Sequence, residues 1–93
     1  MSGDSTHELT VSIQNRYGLH ARPAAEFVKL ASRYQSDVFV RKEDLEVNGK
    51  SIMGMMMLAA ECGSELVIRV EGDDADAALE ALRALVAAGF GED

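Results

Sequence analysis

The chain has 93 residues, enough for one compact domain spanning 1–93 with a core over about 6–90, and 47% of it is hydrophobic with no Trp and only 5% aromatic residues, so the core must rest on Ala, Leu, Val, Ile and Met. Sixteen acidic residues against nine Lys and Arg leave a net charge of -7, which opposes binding to a nucleic-acid backbone or an anionic membrane. A single cysteine, Cys62, and two histidines, His7 and His20, exclude an internal disulfide and a zinc-like ligand cluster; no metal or other cofactor is expected, and the cytoplasm is the compartment that suits the composition.

The opening segment Met1-Ser2-Gly3-Asp4-Ser5 has neither a basic stretch nor a long apolar run, and the longest apolar stretch, Met55 to Ala60, is too short to span a bilayer. Neither export nor membrane insertion is expected. Leu9, Val11 and Ile13 alternate with Thr10, Ser12 and Gln14, which predicts a strand over 7–14 with one buried face. Asn15-Arg16-Tyr17-Gly18 breaks the alternation as a turn. Ala24, Phe27, Val28, Ala31 and Tyr34 then share a helical face opposite Glu26, Lys29 and Arg33, with Pro23 expected at the first helical position, where a missing N–H costs nothing.

Val38 with Val40, and Leu45 with Val47, predict a hairpin turning at Glu43-Asp44 and closing at Asn48-Gly49. Ser51 stands where an N-cap would start a short apolar helix through Leu58. Leu66, Ile68 and Val70 mark a last strand with Val67 and Arg69 on its other face. The stripe Ala75, Ala78, Leu79, Leu82, Leu85 and Val86 predicts a final helix, with Asp73 or Asp74 as N-cap, Gly89 as C-cap and Gly91-Glu92-Asp93 as a frayed tail. The order is therefore βαββαβα, an α+β fold in two layers: a four-stranded sheet covered on one face by three helices.

Charge is unevenly spread. Residues 15–34 carry Arg16, Arg22, Lys29 and Arg33 against Glu26, whereas residues 71–93 carry seven acids against Arg83. Within the basic stretch His20 stands between a strand end and a helix start, two residues before Arg22. The free N–H groups expected at this helix mouth, those of Ala21 and Arg22 together with Ala24 and its successor, form an anion cradle. The positive end of the helix dipole disfavours imidazolium and leaves a ring nitrogen lone pair available to attack phosphorus; once phosphorylated, the ring would gain from the same dipole and from the Arg22 guanidinium. His7, at the start of a strand, has no such setting. The chain has no G-x-x-x-x-G-K-[ST] loop and no carboxylate set recognisable as a magnesium site, so it is not expected to activate ATP itself.

Asn15 followed by Gly18-Leu19-His20-Ala21-Arg22-Pro23-Ala24 resembles the active-site signature of the histidine-containing phosphocarrier (HPr) family of the bacterial phosphoenolpyruvate-dependent sugar phosphotransferase system, and Val47-Asn48-Gly49-Lys50-Ser51-Ile52-Met53-Gly54 resembles its regulatory-serine segment. The two motifs lie in the family's order and at its separation. The resemblance implies an open-faced β-sandwich with antiparallel strand order 1-4-2-3, and a monomer. It implies His20 as a phosphohistidine modified on Nδ1, charged by phosphorylated enzyme I and discharged to sugar-specific A components of permeases. It further implies Arg22 as the active-site arginine and Ser51 as the target of an HPr kinase/phosphorylase in lineages that have one, with a transcriptional regulator as a further partner. Ile52, Met53 and Met56 are the implied docking patch, and flexible thioethers suit a surface that must fit several partners.

Ser51 is at the least an N-cap, and some of Met53, Met55, Met56 and Met57 must fill the core. The ending Gly89-Phe90-Gly91-Glu92-Asp93 resembles the nitrogen-related branch of the same family, while Lys50-Ser51-Ile52-Met53-Gly54 resembles the sugar branch. The competing readings are a purely regulatory or nitrogen-branch paralogue and, more remotely, an acylphosphatase-like small phosphatase. The latter family's glycine-rich loop ending in Phe-Arg is not found in the chain. A small-molecule regulatory domain would leave His20-Ala21-Arg22-Pro23 unexplained.

Overall fold

The computed structural model describes residues 5–92, so the expectations for Met1 to Asp4 and for Asp93 lie outside the described residues. The chain runs β1 (Ser5–Ser12), α1 (Ala21–Ala31), β2 (Asp37–Lys42), β3 (Leu45–Asn48), α2 (Ile52–Met57), β4 (Glu65–Gly72) and α3 (Ala75–Ala87), closing in a 3-10 turn over Gly89–Gly91. The strands form one antiparallel sheet in the order β1-β4-β2-β3. This is the open-faced sandwich and strand order that the family resemblance implied, and the two layers that the hydrophobic pattern predicted.

β4 lies between β1 and β2, and its alternation decides the interior. Leu66 and Ile68 pair across from Val11 and Leu9 on one side, and Ile68 and Val70 across from Val40 and Val38 on the other. Leu66, Ile68, Val70, Val38 and Val40 are all buried, and Phe27 from α1, Met55 from α2 and Leu82 with Val86 from α3 close over them. Burying such a side chain contributes about 1.5–3 kcal/mol, and β4 places three in a row. The opposite face is polar: Arg69 stacks on the Phe39 ring at 4.3 Å from its centroid and pairs with Glu46 at 3.1 Å and with Glu71.

Four local expectations need correction. β1 ends at Ser12 rather than Gln14, although Ile13 stays buried with its N–H on the Ser64 carbonyl at 2.9 Å; the chain leaves the sheet because it must turn toward α1. α1 starts at Ala21, so Pro23 occupies the third helical position, not the first. All of the first four helical-end N–H groups lack intrahelical acceptors, so proline is tolerated there just as well. α1 also ends at Ala31, and Tyr34 packs on the core from the following turn. Asp74 is the N-cap residue of α3, but its side chain does not cap that helix. Its carboxylate accepts instead from the backbone N–H groups of Gln35 and Ser36, both at 2.9 Å, and from the Ser36 hydroxyl, tying α3 to the turn after α1.

Those bonds, the Ser36 hydroxyl first and the Gln35 N–H next, hold the Asp74 carboxyl below its usual value against the opposing effect of desolvation. A carboxyl depressed in the folded state stabilises the protein above its unfolded value, and the contribution is lost as pH falls through the folded one. Asp74→Asn should therefore lower Tm by several degrees at neutral pH, and the gap to wild type should close as pH is taken below about 4. Thermal melts across that range check the expectation.

Candidate functional site

The loop from β1 to α1 is pinned at one close approach. Gly18 has φ +72, and a Cβ there would stand 2.5 Å from the Ala60 carbonyl oxygen and 2.9 Å from the Glu61 Cα, so no other residue fits without moving backbone. The next N–H, that of Leu19, donates to the same Ala60 oxygen at 2.8 Å, and the Leu19 side chain is buried. Asn15, itself buried, accepts from the Gly18 N–H at 3.1 Å through its carbonyl and donates to the Gly18 carbonyl at 2.7 Å through Nδ2. The turn is thereby fixed from both sides, and the residue it delivers is His20.

His20 is the N-cap of α1, with extended backbone and no side-chain bond to its own helix. Its N–H donates to the Gly18 carbonyl at 3.0 Å, and its carbonyl accepts from the Ala24 N–H at 3.0 Å. Since Pro23 has no N–H, the donors left at the mouth are those of Ala21 and Arg22, which make no hydrogen bond among the described residues. The cradle is narrower than the sequence suggested, because Ala24 and its successor belong to the helical ladder. The Arg22 side chain is exposed and makes no hydrogen bond or ion pair among the described residues. His20 is 43% exposed in its side chain, and the exposed Tyr17 meets its ring edge-on at 6.5 Å and 84°. Tyr17 was expected only as a turn residue; aromatic exposure beside a motif has no signature in the sequence.

Glu92 completes the site from the far end of the chain. Its Oε1 lies 3.1 Å from His20 Nε2 and accepts from Asn15 Nδ2 at 3.0 Å. Gly91 and Glu92 are thus no frayed tail: after α3, Phe90 turns back with φ 57 and buries its ring, while Gly89 at φ +63 backs onto Asn15. A buried aromatic between two glycines directly after an amphipathic helix is the signal of a chain reversal. Burial pushes the Glu92 carboxyl up, but hydrogen bonds with His20 and from Asn15, aided by the nearby Arg22 charge, outweigh it and hold the group below the usual carboxylate range. The same bonds orient Asn15: a flipped amide would turn its oxygen toward two acceptors, so Oδ1 stays buried without a partner among the described residues.

His7 stands elsewhere, on β1, with Nε2 3.0 Å from Asp76 at the start of α3. Ser51 caps α2, its hydroxyl accepting from the Gly54 N–H at 3.0 Å. The neighbouring Lys50 is tied to the Tyr34 carbonyl at 2.8 Å. Of the methionines, Met55 is buried, whereas Met53 is 76% and Met57 62% exposed, with Ile52 and Met56 also exposed. The apolar patch on α2 is thus Ile52, Met53, Met56 and Met57, one residue wider than expected. α2 packs against α1, the helix that carries His20 at its mouth. Among the described residues no three His, Cys, Asp or Glu side chains come together as a metal site, and no helix is long and apolar enough to cross a membrane.

A family model described as the PTS HPr component phosphorylation site matches residues 7–88. The chain is 50% identical over 84 residues to the phosphocarrier protein HPr of Treponema pallidum, covering 90% of this chain and 96% of that protein. Its fold is similar to the crystal structure of HPr from Thermoanaerobacter tengcongensis, with TM-score 0.90, 46% identity and coverage of 94% and 98% of the two chains. It is also similar to the Bacillus subtilis catabolite-repression protein Crh, solved as a domain-swapped dimer, with TM-score 0.73, 47% identity and coverage of 85% and 91%.

The Gly18 contact makes a direct expectation. Gly18→Ala should lower the unfolding free energy by about 2 kcal/mol or more, through strain at a positive φ and the clash with the Ala60 carbonyl. Urea denaturation followed by circular dichroism measures the loss, and an unchanged midpoint would contradict the close approach.

Proposed function

The chain belongs to the HPr phosphocarrier family of the phosphotransferase system, and we propose that this single-domain protein accepts a phosphoryl group on His20 from phosphorylated enzyme I in the cytoplasm and passes it to sugar-specific A components. One observation carries the reading: His20 caps α1 without using its ring, beside two N–H groups that have no partner among the described residues. A neutral imidazole nitrogen attacks phosphorus while the bond to the donor nitrogen breaks, and the three phosphoryl oxygens meet the Ala21 and Arg22 N–H groups and the Arg22 guanidinium. Such a transfer passes through a loose transition state, so orientation and charge stabilisation do most of the work. The fixed loop from Asn15 to Leu19 supplies orientation. Nothing in this step requires a cofactor.

Ser51 fits a regulatory phosphorylation site at the edge of the α2 patch. An HPr kinase/phosphorylase is the matching class of enzyme, and a transcriptional regulator with a basic pocket would gain from the added charge. A phosphate on Ser51 keeps oxygens that can accept from Gly54, so the fold tolerates it. The same dianion must lose water when a partner covers Ile52, Met53 and Met56. The similarity to Crh supports a second reading, a paralogue whose phosphorylation state serves regulation alone. Transfer from phosphorylated protein to an A component separates the two. We take the protein to act as a monomer, which light scattering at working concentration tests against the swapped dimer seen for Crh.

Incubation with enzyme I and phosphoenolpyruvate, followed by intact-mass measurement before and after mild acid, should show one acid-labile phosphoryl group. It should be absent in His20→Ala and retained in His7→Ala; full labelling of His20→Ala would defeat the assignment. Arg22→Ala should melt as wild type does and transfer roughly ten- to a hundredfold more slowly, through loss of a charge-assisted contact. Ser51→Asp should also melt normally but bind enzyme I more weakly on titration.

A further inference from the structure

We propose that Tyr17, with Arg16 beside it, is a specificity-determining residue for the phosphoryl transfer: the point at which the surface around the donor's reactive residue rests on this chain. This rests on the reading of His20 as the acceptor. The pair defines the chemistry of the partner, an apolar side chain for the phenol ring and a carboxylate for the guanidinium.

Arg16 and Tyr17 form the tip of the turn that leads to His20. The Gly18 N–H donates to the Asn15 carbonyl at 3.1 Å, which closes a β-turn with Arg16 and Tyr17 as its two central residues. The fold requires Asn15, Gly18 and Leu19 here, through their burial and their hydrogen bonds. It requires nothing of the two side chains between them. The Arg16 guanidinium makes no hydrogen bond or ion pair among the described residues, and Tyr17 is 73% exposed, its hydroxyl likewise unbonded there. Turns favour Gly, Pro, Asn, Asp and Ser, and a large aromatic at this tip leaves apolar area in water without stabilising the fold.

The ring is nevertheless held in place. The Arg16 guanidinium carbon lies 5.7 Å from its centroid, within reach of a cation–π contact, and the His20 ring meets it edge-on at 6.5 Å and 84°. A side chain restrained before binding loses less freedom on association. Tyr and Arg are also the residue types that most often dominate the energetics of an interface.

Proximity decides the partner. For transfer, the phosphorus must come within about 3–3.5 Å of the attacking ring nitrogen, so the residue that carries it stands about as close to His20 as Tyr17 does. The donor's surface cannot avoid the turn tip. Arg16 and Arg22, both exposed, flank His20 in the chain, and a rim bearing carboxylates meets them favourably where a basic one would be repelled.

The test measures initial rates of phosphorylation of the full chain by enzyme I and phosphoenolpyruvate. Tyr17→Ala should melt as wild type does, raise KM roughly tenfold and leave kcat within about twofold, since a contact made equally before and during transfer is read as binding. Tyr17→Phe, which keeps the ring, should retain the wild-type KM. Arg16→Ala should raise KM at low salt, and the difference should shrink as salt is added. A Tyr17→Ala variant whose KM stays within about twofold of wild type, or whose loss lies in kcat, would overturn the proposal. So would one whose Tm drops by several degrees, which would make Tyr17 a structural residue. A Tyr17→Phe variant as impaired as Tyr17→Ala would overturn it too, because the hydroxyl and not the ring would then be engaged. A wild-type protein that enzyme I does not phosphorylate would defeat the proposed function and this proposal with it, whereas a phosphorylated wild type with indifferent Tyr17 variants defeats this proposal alone.

Discussion

The site depends on the contact between Gly18 and the Ala60 carbonyl. Two segments far apart in sequence come so close there that one Cβ would separate them, and the Leu19 N–H locks the approach with a hydrogen bond to the same oxygen. The chain is therefore committed to a single path between the sheet and α1. Its consequence is the placement of His20 at a helix end where the Ala21 and Arg22 N–H groups have no partner among the described residues. For the proposed phosphoryl transfer this matters, because an imidazole on a mobile loop would lose much of the benefit of being held in line with a donor.

The strands and the two long helices are legible because burial imposes periodicity: Leu66, Ile68 and Val70 must alternate to face one core, and Ala78, Leu82 and Val86 must recur at three to four residues. The helix starts are less legible. Pro23 fits the first helical position and the third equally well, since all of those N–H groups lack intrahelical acceptors, so local chemistry cannot fix the register. Asp74 illustrates a different limit. Local preference makes it a cap, but the turn at Gln35 and Ser36 offers three donors at once and wins the carboxylate. Glu92 lies beyond local reasoning altogether, because its partner is 72 residues away and only the turn at Phe90 brings the two together.

The division of labour among the methionines has a geometric cause. α2 has only six residues and rests on α1 and β3, so it can bury one side and no more. Met55 takes that side, and Gly54 keeps the helix close to Val47, where a Cβ would stand 3.3 Å from the Val47 Cβ. Ile52, Met53, Met56 and Met57 are left facing outward as a matter of helical spacing. An apolar surface of this kind beside the helix bearing His20 is suited to partners of different shape, because unbranched thioethers adjust at little cost.

On the proposed reading, His20 must release the phosphoryl group it accepts, and this sets an upper limit on how well the site can bind phosphate. A cradle that stabilised the phosphorylated state more than the transition state would slow onward transfer, since only differential stabilisation lowers a barrier. Several features restrain the cradle here. Pro23 removes one donor from the helix mouth, the Gly18 carbonyl engages the N–H of His20, and the Ala24 N–H belongs to the helix, so among the described residues two backbone donors and the exposed Arg22 guanidinium remain. Glu92 places a carboxylate 3.1 Å from His20 Nε2, at the edge of that anion site. A proline at the third helical position and a carboxylate at the edge of an anion site look unfavourable if tight binding is the aim; where the bond to phosphorus must form and break with nearly equal ease, both act in the required direction.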